Sequence, residues 1–169
     1  QRGTGFPRVV GAAADIGAFE LGQVPASIVV AGGGAQSTSI NTAFAVPLQV
    51  TVLDTGSAPV PGITVTFAVP GSGASAGLSA TTCTTNAAGQ CPTGITATAN
   101  GTIGSYAVTA SVAGVATPAT FNLTNTAGAP ASISVVGGNG QTTPINTAFP
   151  TALQVVVRDG SNNPVPGRT

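Results

Sequence analysis

The chain has 169 residues, 5% of them charged, and a net charge of zero at pH 7. Nucleic acid and anionic membrane surfaces are bound through clustered Lys and Arg, and four scattered arginines (Arg2, Arg8, Arg158 and Arg168) with no lysine cannot form such a cluster. No apolar run reaches the roughly 18 residues of a membrane-spanning helix, and the abundant Val, Ile and Thr read as a β-rich globular chain with many turns.

Residues 1–24 stand apart, because they hold Arg2, Arg8, Asp15 and Glu20, half the charge of the chain. The phrase Asp15-Ile16-Gly17-Ala18-Phe19-Glu20, after Pro7-Arg8-Val9-Val10-Gly11, resembles the closing segment of bacterial right-handed parallel β-helix surface proteins. That resemblance implies the last coil of such a domain. Read by residues alone, the segment is an extended linker whose Ile16 and Phe19 pack on the next domain. No signal peptide is visible at Gln1, as expected of an excised or processed piece.

From Pro25 onward, alternation predicts short strands. Strand A puts Ile28 and Val30 on one side and is broken by Gly32-Gly33-Gly34. Strand B alternates Leu48, Val50 and Val52 with Gln49, Thr51 and Leu53. A Gly-, Ser- and Pro-rich turn over 54–61 leads to strand C, with Ile63, Val65, Phe67 and Val69. Residues 71–77 read as a flexible connection, and Leu78, Ala80 and Thr82 as strand D. Asn86-Ala87-Ala88-Gly89 turns into strand E, with Ile95 and Ala97 inward. Asn100-Gly101 is a hairpin-type signal. Strand F carries Tyr106, Val108, Ala110 and Val112; strand G carries Ala119, Phe121 and Leu123.

Much of this pattern then returns. Pro25-Ala26-Ser27-Ile28, Ile40-Asn41-Thr42-Ala43-Phe44, Leu48-Gln49-Val50 and Pro59-Val60-Pro61-Gly62 recur at Pro130, Ile145, Leu153 and Pro164, offset by 105 positions without a gap. A period of that size is one small domain rather than a solenoid turn. The inward set Leu48, Val50, Val52 is identical in the second copy (Leu153, Val155, Val157). The outward set changes at two of three positions. A one-residue register slip would expose the whole apolar set, so the buried face is well specified. The expected organisation is a segment 1–24, a complete β-sandwich over 25–127, and the first part of another over 128–169. Two or three strands with no partner sheet are marginal in water, so the second copy needs further surface to cover it.

Seven short strands in about a hundred residues describe an immunoglobulin-like sandwich, an all-β fold. The unit resembles the bacterial Ig-like domains of the invasin and intimin type, found in tandem on long surface proteins. The carrying residues are Leu48-Gln49-Val50-Thr51-Val52, Pro59-Val60-Pro61-Gly62, Val65-Thr66-Phe67, Thr85-Asn86-Ala87-Ala88-Gly89-Gln90 and Gly104-Ser105-Tyr106-Ala107-Val108-Thr109-Ala110. The expected core is Leu48, Val50, Val52, Val65, Phe67, Tyr106, Val108 and Phe121, with Tyr106 where sandwiches place a tyrosine whose hydroxyl bonds backbone.

Candidate chemistry is sparse. With neither His nor Lys, a Ser or Thr nucleophile has no base beside it. Asp54 and Asp159 fall at equivalent places in different copies, which is wrong for a carboxylate pair. Each has a faint calcium-loop flavour but supplies one carboxylate where calcium wants several, so capping of its own loop is the favoured role. Cys83 and Cys91 are too few for zinc and suit a structural disulfide across a turn centred on Ala87. Asn100-Gly101-Thr102 and Asn122-Leu123-Thr124 match the glycosylation sequon by the accident of a Thr-rich chain. Between Thr55 and Val157 no charge guards a sheet edge, which either Pro and Gly replace or a neighbour covers.

The sequence therefore points to a non-enzymatic extracellular module without a cofactor, metal or membrane insertion. As a stalk or spacer of a bacterial cell-surface protein, its partners are neighbouring modules and an unidentified host or cell-surface receptor, for which the loops 70–77 and 113–116 are the exposed candidates. The alternative is a filament subunit in which copies of the chain complete the partial unit by β-strand donation, with residues 1–24 as donor.

Overall fold

Strands form where the sequence alternates β-branched or aromatic residues with Thr, Ser and Gln, because such side chains pack well on a pleated, half-buried surface. The computed structural model describes residues 23–168; the readings of Asp15–Glu20 lie outside the described residues, as does the donor segment 1–24 except for its last two residues. The strands are β1 (Ser27–Gly32), β2 (Ala35–Ser39), β3 (Gln49–Leu53), β4 (Thr64–Ala68), β5 (Ala76–Leu78), β6 (Thr82–Thr84), β7 (Ala97–Ala99), β8 (Gly104–Val112), β9 (Ala119–Thr126), β10 (Pro130–Gly137) and β11 (Gln154–Asp159). No helix interrupts the described residues.

β1 to β9 make two layers. One is a five-stranded sheet in the order β2-β9-β8-β4-β6. The other joins β1 to β3, continues through bridges Leu48–Ile95, Thr51–Gln90 and Ala43–Thr98 to the segment carrying β7, and ends on β5. Leu48, Val50, Val52, Val65, Val108 and Phe121 are fully buried between the layers, and Phe67 nearly so. The Phe67 and Phe121 rings lie 6.2 Å apart at 32°, within the range where aromatic pairs attract beyond their buried area. Tyr106 packs at the rim of this core, half-buried.

Several expectations are corrected. Past the glycine break that ends the first strand lies a second one, β2, where no strand was expected. β1 pairs antiparallel with β3 and β2 pairs parallel with β9, so the chain changes layer between them. Gly33 makes the crossing at φ 74°, where an added Cβ would lie 2.7 Å from the Pro47 carbonyl oxygen; only glycine fits that conformation and that gap. Gln36 braces it, donating to the Gly33 and Val46 carbonyls at 3.2 and 2.8 Å and accepting from the Val46 amide at 2.8 Å. Val30 accordingly does not join Ile28 in the core. A bulge between Val30 and Gly32 turns this edge strand, leaving Val30 exposed where Ile28 is buried.

Strand D also divides. β5 pairs with β7 in one layer and β6 with β4 in the other, so residues 79–81 carry the chain across, and the supposed connection 71–77 contains the start of β5. Asn100-Gly101 is no tight hairpin either, because β7 and β8 lie in different sheets. Cys83 and Cys91 are bonded, with Cα atoms 5.7 Å apart, but not as facing partners in a hairpin. β6 pairs with β4 and the Cys91 segment runs beside β3, so the disulfide ties one layer to the other. Asn86 closes the turn between them, its side-chain oxygen accepting from the Ala88 and Gln90 amides. Replacing both cysteines by alanine is expected to lower the unfolding free energy by about 2.5 kcal/mol on the chain-entropy model, read by denaturant melts; an unchanged midpoint would refute the role.

Beyond Gly128 the chain forms one antiparallel ribbon, β10 with β11. It copies the β1–β3 arm closely. Gly138 has φ 79° against 74° for Gly33, and Asn146 has 60° against 58° for Asn41. Gln141 repeats the Gln36 brace, donating to the Gly138 and Thr151 carbonyls and accepting from the Thr151 amide. The difference is cover. Leu48 is fully buried and Leu153 is 80% exposed; Phe44 is buried and Phe149 is exposed. Leu153 and Val155 share a face as the alternation implies, but no second layer lies over it among the described residues.

Candidate functional site

A network of side-chain hydrogen bonds holds the pole of the sandwich where β9 leaves it. Its organiser is Asn125. This position continues the inward series Ala119, Phe121, Leu123 of β9, so a polar side chain is carried into the core, where it is 2% exposed. A buried amide is costly unless satisfied, and this one is. Its Nδ2 donates to the Ser75 carbonyl at 3.0 Å, the Asn100 Oδ1 at 3.0 Å and the Thr102 carbonyl at 3.1 Å. Its Oδ1 accepts the Tyr106 hydroxyl at 3.0 Å. Tyr106 thus bonds a side chain, not the backbone expected of it. Burial raises the Tyr106 phenol above its ordinary value, with the Asn125 bond opposing, so the hydroxyl remains a donor at neutral pH.

Asn100 extends the network. Its Oδ1 accepts from the Ser75 and Thr102 amides, and its Nδ2 donates to the Gly73 carbonyl at 2.9 Å. The loops 73–75 and 100–103 are therefore held from beneath. Asn100, read as a hairpin residue or an incidental sequon, is a loop anchor with its amide engaged.

Against this pole sits the turn after β11. Asp159 Oδ1 accepts from the Ser161 and Asn163 amides, both at 2.9 Å, a self-capping Asx turn. Asp54 does the same for Gly56 and Ala58 at 2.8 and 2.9 Å. Three further bonds distinguish Asp159's turn. Asp159 Oδ2 accepts from the Gly128 amide at 3.0 Å, Asn163 Nδ2 donates to the Gly101 carbonyl at 3.0 Å, and Asn41 Nδ2 lies 3.5 Å from the Ser161 hydroxyl. Asn163 Nδ2 also donates to both Asp159 oxygens. Asp159 is 4% exposed, and both its oxygens are occupied by N–H donors, which is cap chemistry rather than cation chemistry. Among the described residues no three Cys, Asp or Glu side chains converge as metal ligands would.

Burial by itself would raise the Asp159 carboxyl, but bonds from Gly128, Asn163 and Ser161 hold it below the usual carboxylate range. A group depressed in the folded state contributes stability above its unfolded pKa of about 3.9 and loses it as pH falls through the folded value. The contact is therefore expected to be indifferent to pH between 5 and 8 and to loosen only below about pH 4. Titration of the Gly128 amide shift checks this; movement centred near neutrality would contradict it.

Beside the contact lies a cavity of about 400 Å³ between Ile103 of the sandwich and Val155–Val157 and Pro164–Arg168 of the ribbon. Its ribbon wall corresponds to Val50–Val52 and Pro59–Ile63 in the sandwich. There the space is filled by the turn 85–91, with Gly62 and Ile63 amides bonded to Thr85, Thr85 Oγ1 to the Val60 carbonyl, and the Val52 amide to Gly89.

Of the residues singled out from sequence, Leu48, Val50, Val52, Val65, Phe67, Val108 and Phe121 meet in one core with Tyr106 at its edge, and Cys83 meets Cys91. The pole residues Asn125 and Asn163 were not foreseen. Asn125 was detectable as a polar residue at an inward position of strand G. Asn163 was not, because its partner Gly101 is 62 residues away.

No curated protein matches the chain in sequence. Its fold is like that of the Escherichia coli adhesin FdeC, with 20% identity and a TM-score of 0.51, over 83% of this chain and 42% of that one. A C-terminal 282-residue fragment of intimin, solved in complex with the intimin-binding domain of the translocated intimin receptor, is similar at 20% identity and a TM-score of 0.48, over 80% of this chain and 48% of that one. Domains 4–9 of the surface-layer protein SbsC follow at 19% and 0.41, over 84% and 21%. The chain thus spans less than half the length of each. The family model for the bacterial Ig-like domain, group 1, matches residues 34–124, more than half of the chain and nearly all of the sandwich, and the chain belongs to that family.

Proposed function

We propose that the chain is a non-enzymatic spacer in the stalk of a bacterial cell-surface protein, outside the cell, in which the sandwich 25–127 is followed by the start of a second unit of the same kind at 128–169. The family supports a structural or adhesin-related module. The observation that carries the spacer reading is the short, bonded connection at the pole. Only residues 127–129 separate β9 from β10, and the middle one is held by Asp159 through its amide. A connection this short keeps successive units close together and in line along the chain, which is what a spacer requires of its joints. Its partners on this reading are the neighbouring units of the same chain; a receptor belongs to the head that the stalk carries.

Sedimentation velocity and negative-stain micrographs of the 169-residue chain test the reading. A monodisperse, elongated monomer is expected. Polymers that disappear when residues 1–24 are deleted would replace the spacer by the filament subunit, with the uncovered ribbon face completed by strand donation.

A further inference from the structure

The Asp159 turn and the Asp54 turn close alike. Asp54 N and Asp159 N each donate to the carbonyl four residues on, at 2.9 Å, and Ser57 and Asn162 share the left-handed conformation at φ 64° and 66°. They differ where side chains leave the turn. Gly56 and Ala58 stand in one; Ser161 and Asn163 stand at the same places in the other. Those two substituents are the ones that reach the sandwich, Ser161 to Asn41 and Asn163 to Gly101. The turn needs neither for its own closure, as Gly56 and Ala58 demonstrate.

We infer that the pole formed by Asn41, the Gly101 carbonyl and the Gly128 amide is a docking surface for a following Ig-like unit in the same chain whose β-turn reads Asp-x-Ser-x-Asn, and that Ser161 and Asn163 determine this docking. The receiving side is built for it. Gly101 is fixed by the Asn100 and Asn125 bonds, and its α-carbon lies against Ser161, whose hydroxyl is 3.5 Å from where a Cβ would stand. The linker Gly128 lies between Ile40 and Asp159, 3.4 Å and 3.6 Å from the corresponding point. Ile40 is thereby buried, whereas its counterpart Ile145 is 92% exposed. An Asp-Thr-Gly-Ser-Ala turn such as 54–58 has no hydrogen-bonding side chain at the two places that face this pole, where Gly56 and Ala58 stand, so a unit carrying it is linked but not clasped. The turn sequence thus sets which joints of such a stalk are stiff.

This rests on the spacer reading but is tested apart from it. In the 169-residue chain, 15N relaxation is expected to give β8–β9 and β10–β11 one common rotational correlation time. In Ser161→Gly/Asn163→Ala, the ribbon amides over 130–168 are expected to keep their dispersed shifts while their R2/R1 falls below that of the sandwich. A common correlation time retained in the variant, or separate ones in the wild type, overturns the inference. Should the double variant lose its ribbon shifts, Asn41→Gly, which suits the left-handed backbone at φ 58°, and Asn163→Ala each read one bond alone. Partial loosening by either supports the clasp, and none by both overturns it. Filaments in the micrograph would sink the spacer and leave the clasp standing; independent tumbling would do the reverse.

Discussion

Phe121→Ala is expected to lower the unfolding free energy of the sandwich by about 3–5 kcal/mol, the largest effect of any single side chain here. Phe121 is fully buried on β9, which is flanked by β2 on one side and β8 on the other. Its ring enters the space between the layers beside Phe67, which projects from the same sheet two strands away, so truncation removes transfer free energy and leaves a hole that rigid strands cannot close. A domain of this size has about 5–15 kcal/mol to lose, so the variant should melt far earlier with an unchanged denaturant slope. Thr120→Ala, on the exposed side of the same strand, should be within about 0.5 kcal/mol of wild type. A cost below about 1 kcal/mol for Phe121→Ala would mean the two layers do not enclose it as described.

Asn125→Ala is the second large effect, expected at about 3 kcal/mol, because it takes a partner from four groups at once. The carbonyls of Ser75 and Thr102, the Asn100 Oδ1 and the Tyr106 hydroxyl all lose a partner. Tyr106→Phe keeps the ring and removes one bond, so it should cost about 1–2 kcal/mol. The pair separates network from packing. Amide exchange at Ser75 and Thr102 should accelerate in Asn125→Ala more than in Tyr106→Phe, because the alanine variant frees both loops. Equal acceleration would place the network's weight on the tyrosine instead.

The buried face was legible because strands have a period of two and one face must be dry. Leu48, Val50 and Val52, and Val65 with Phe67, could be assigned from alternation alone, and the internal copy sharpened the assignment. Val30 misled because alternation reports which side a residue faces, not whether another layer covers that side. The same limit applies to Leu153 and Val155, which have the right phase and no cover. Asn100-Gly101 misled for a related reason: the dipeptide marks a reversal, but whether the strands it joins share a sheet is a long-range property.

What the sequence determined by itself is local and repetitive: an all-β chain, its inward residues, its turns, and a segment whose residues return at a fixed offset. These follow from steric preferences and apolar spacing over a few residues. What only the tertiary structure decided is which edges meet. The layer change at Gly33, the disulfide joining two sheets, the Asn125 network and the grip of Asn163 on Gly101 each depend on residues distant in sequence. Their bonds have no periodic signature, because a hydrogen bond across 62 positions leaves no pattern in the residues between.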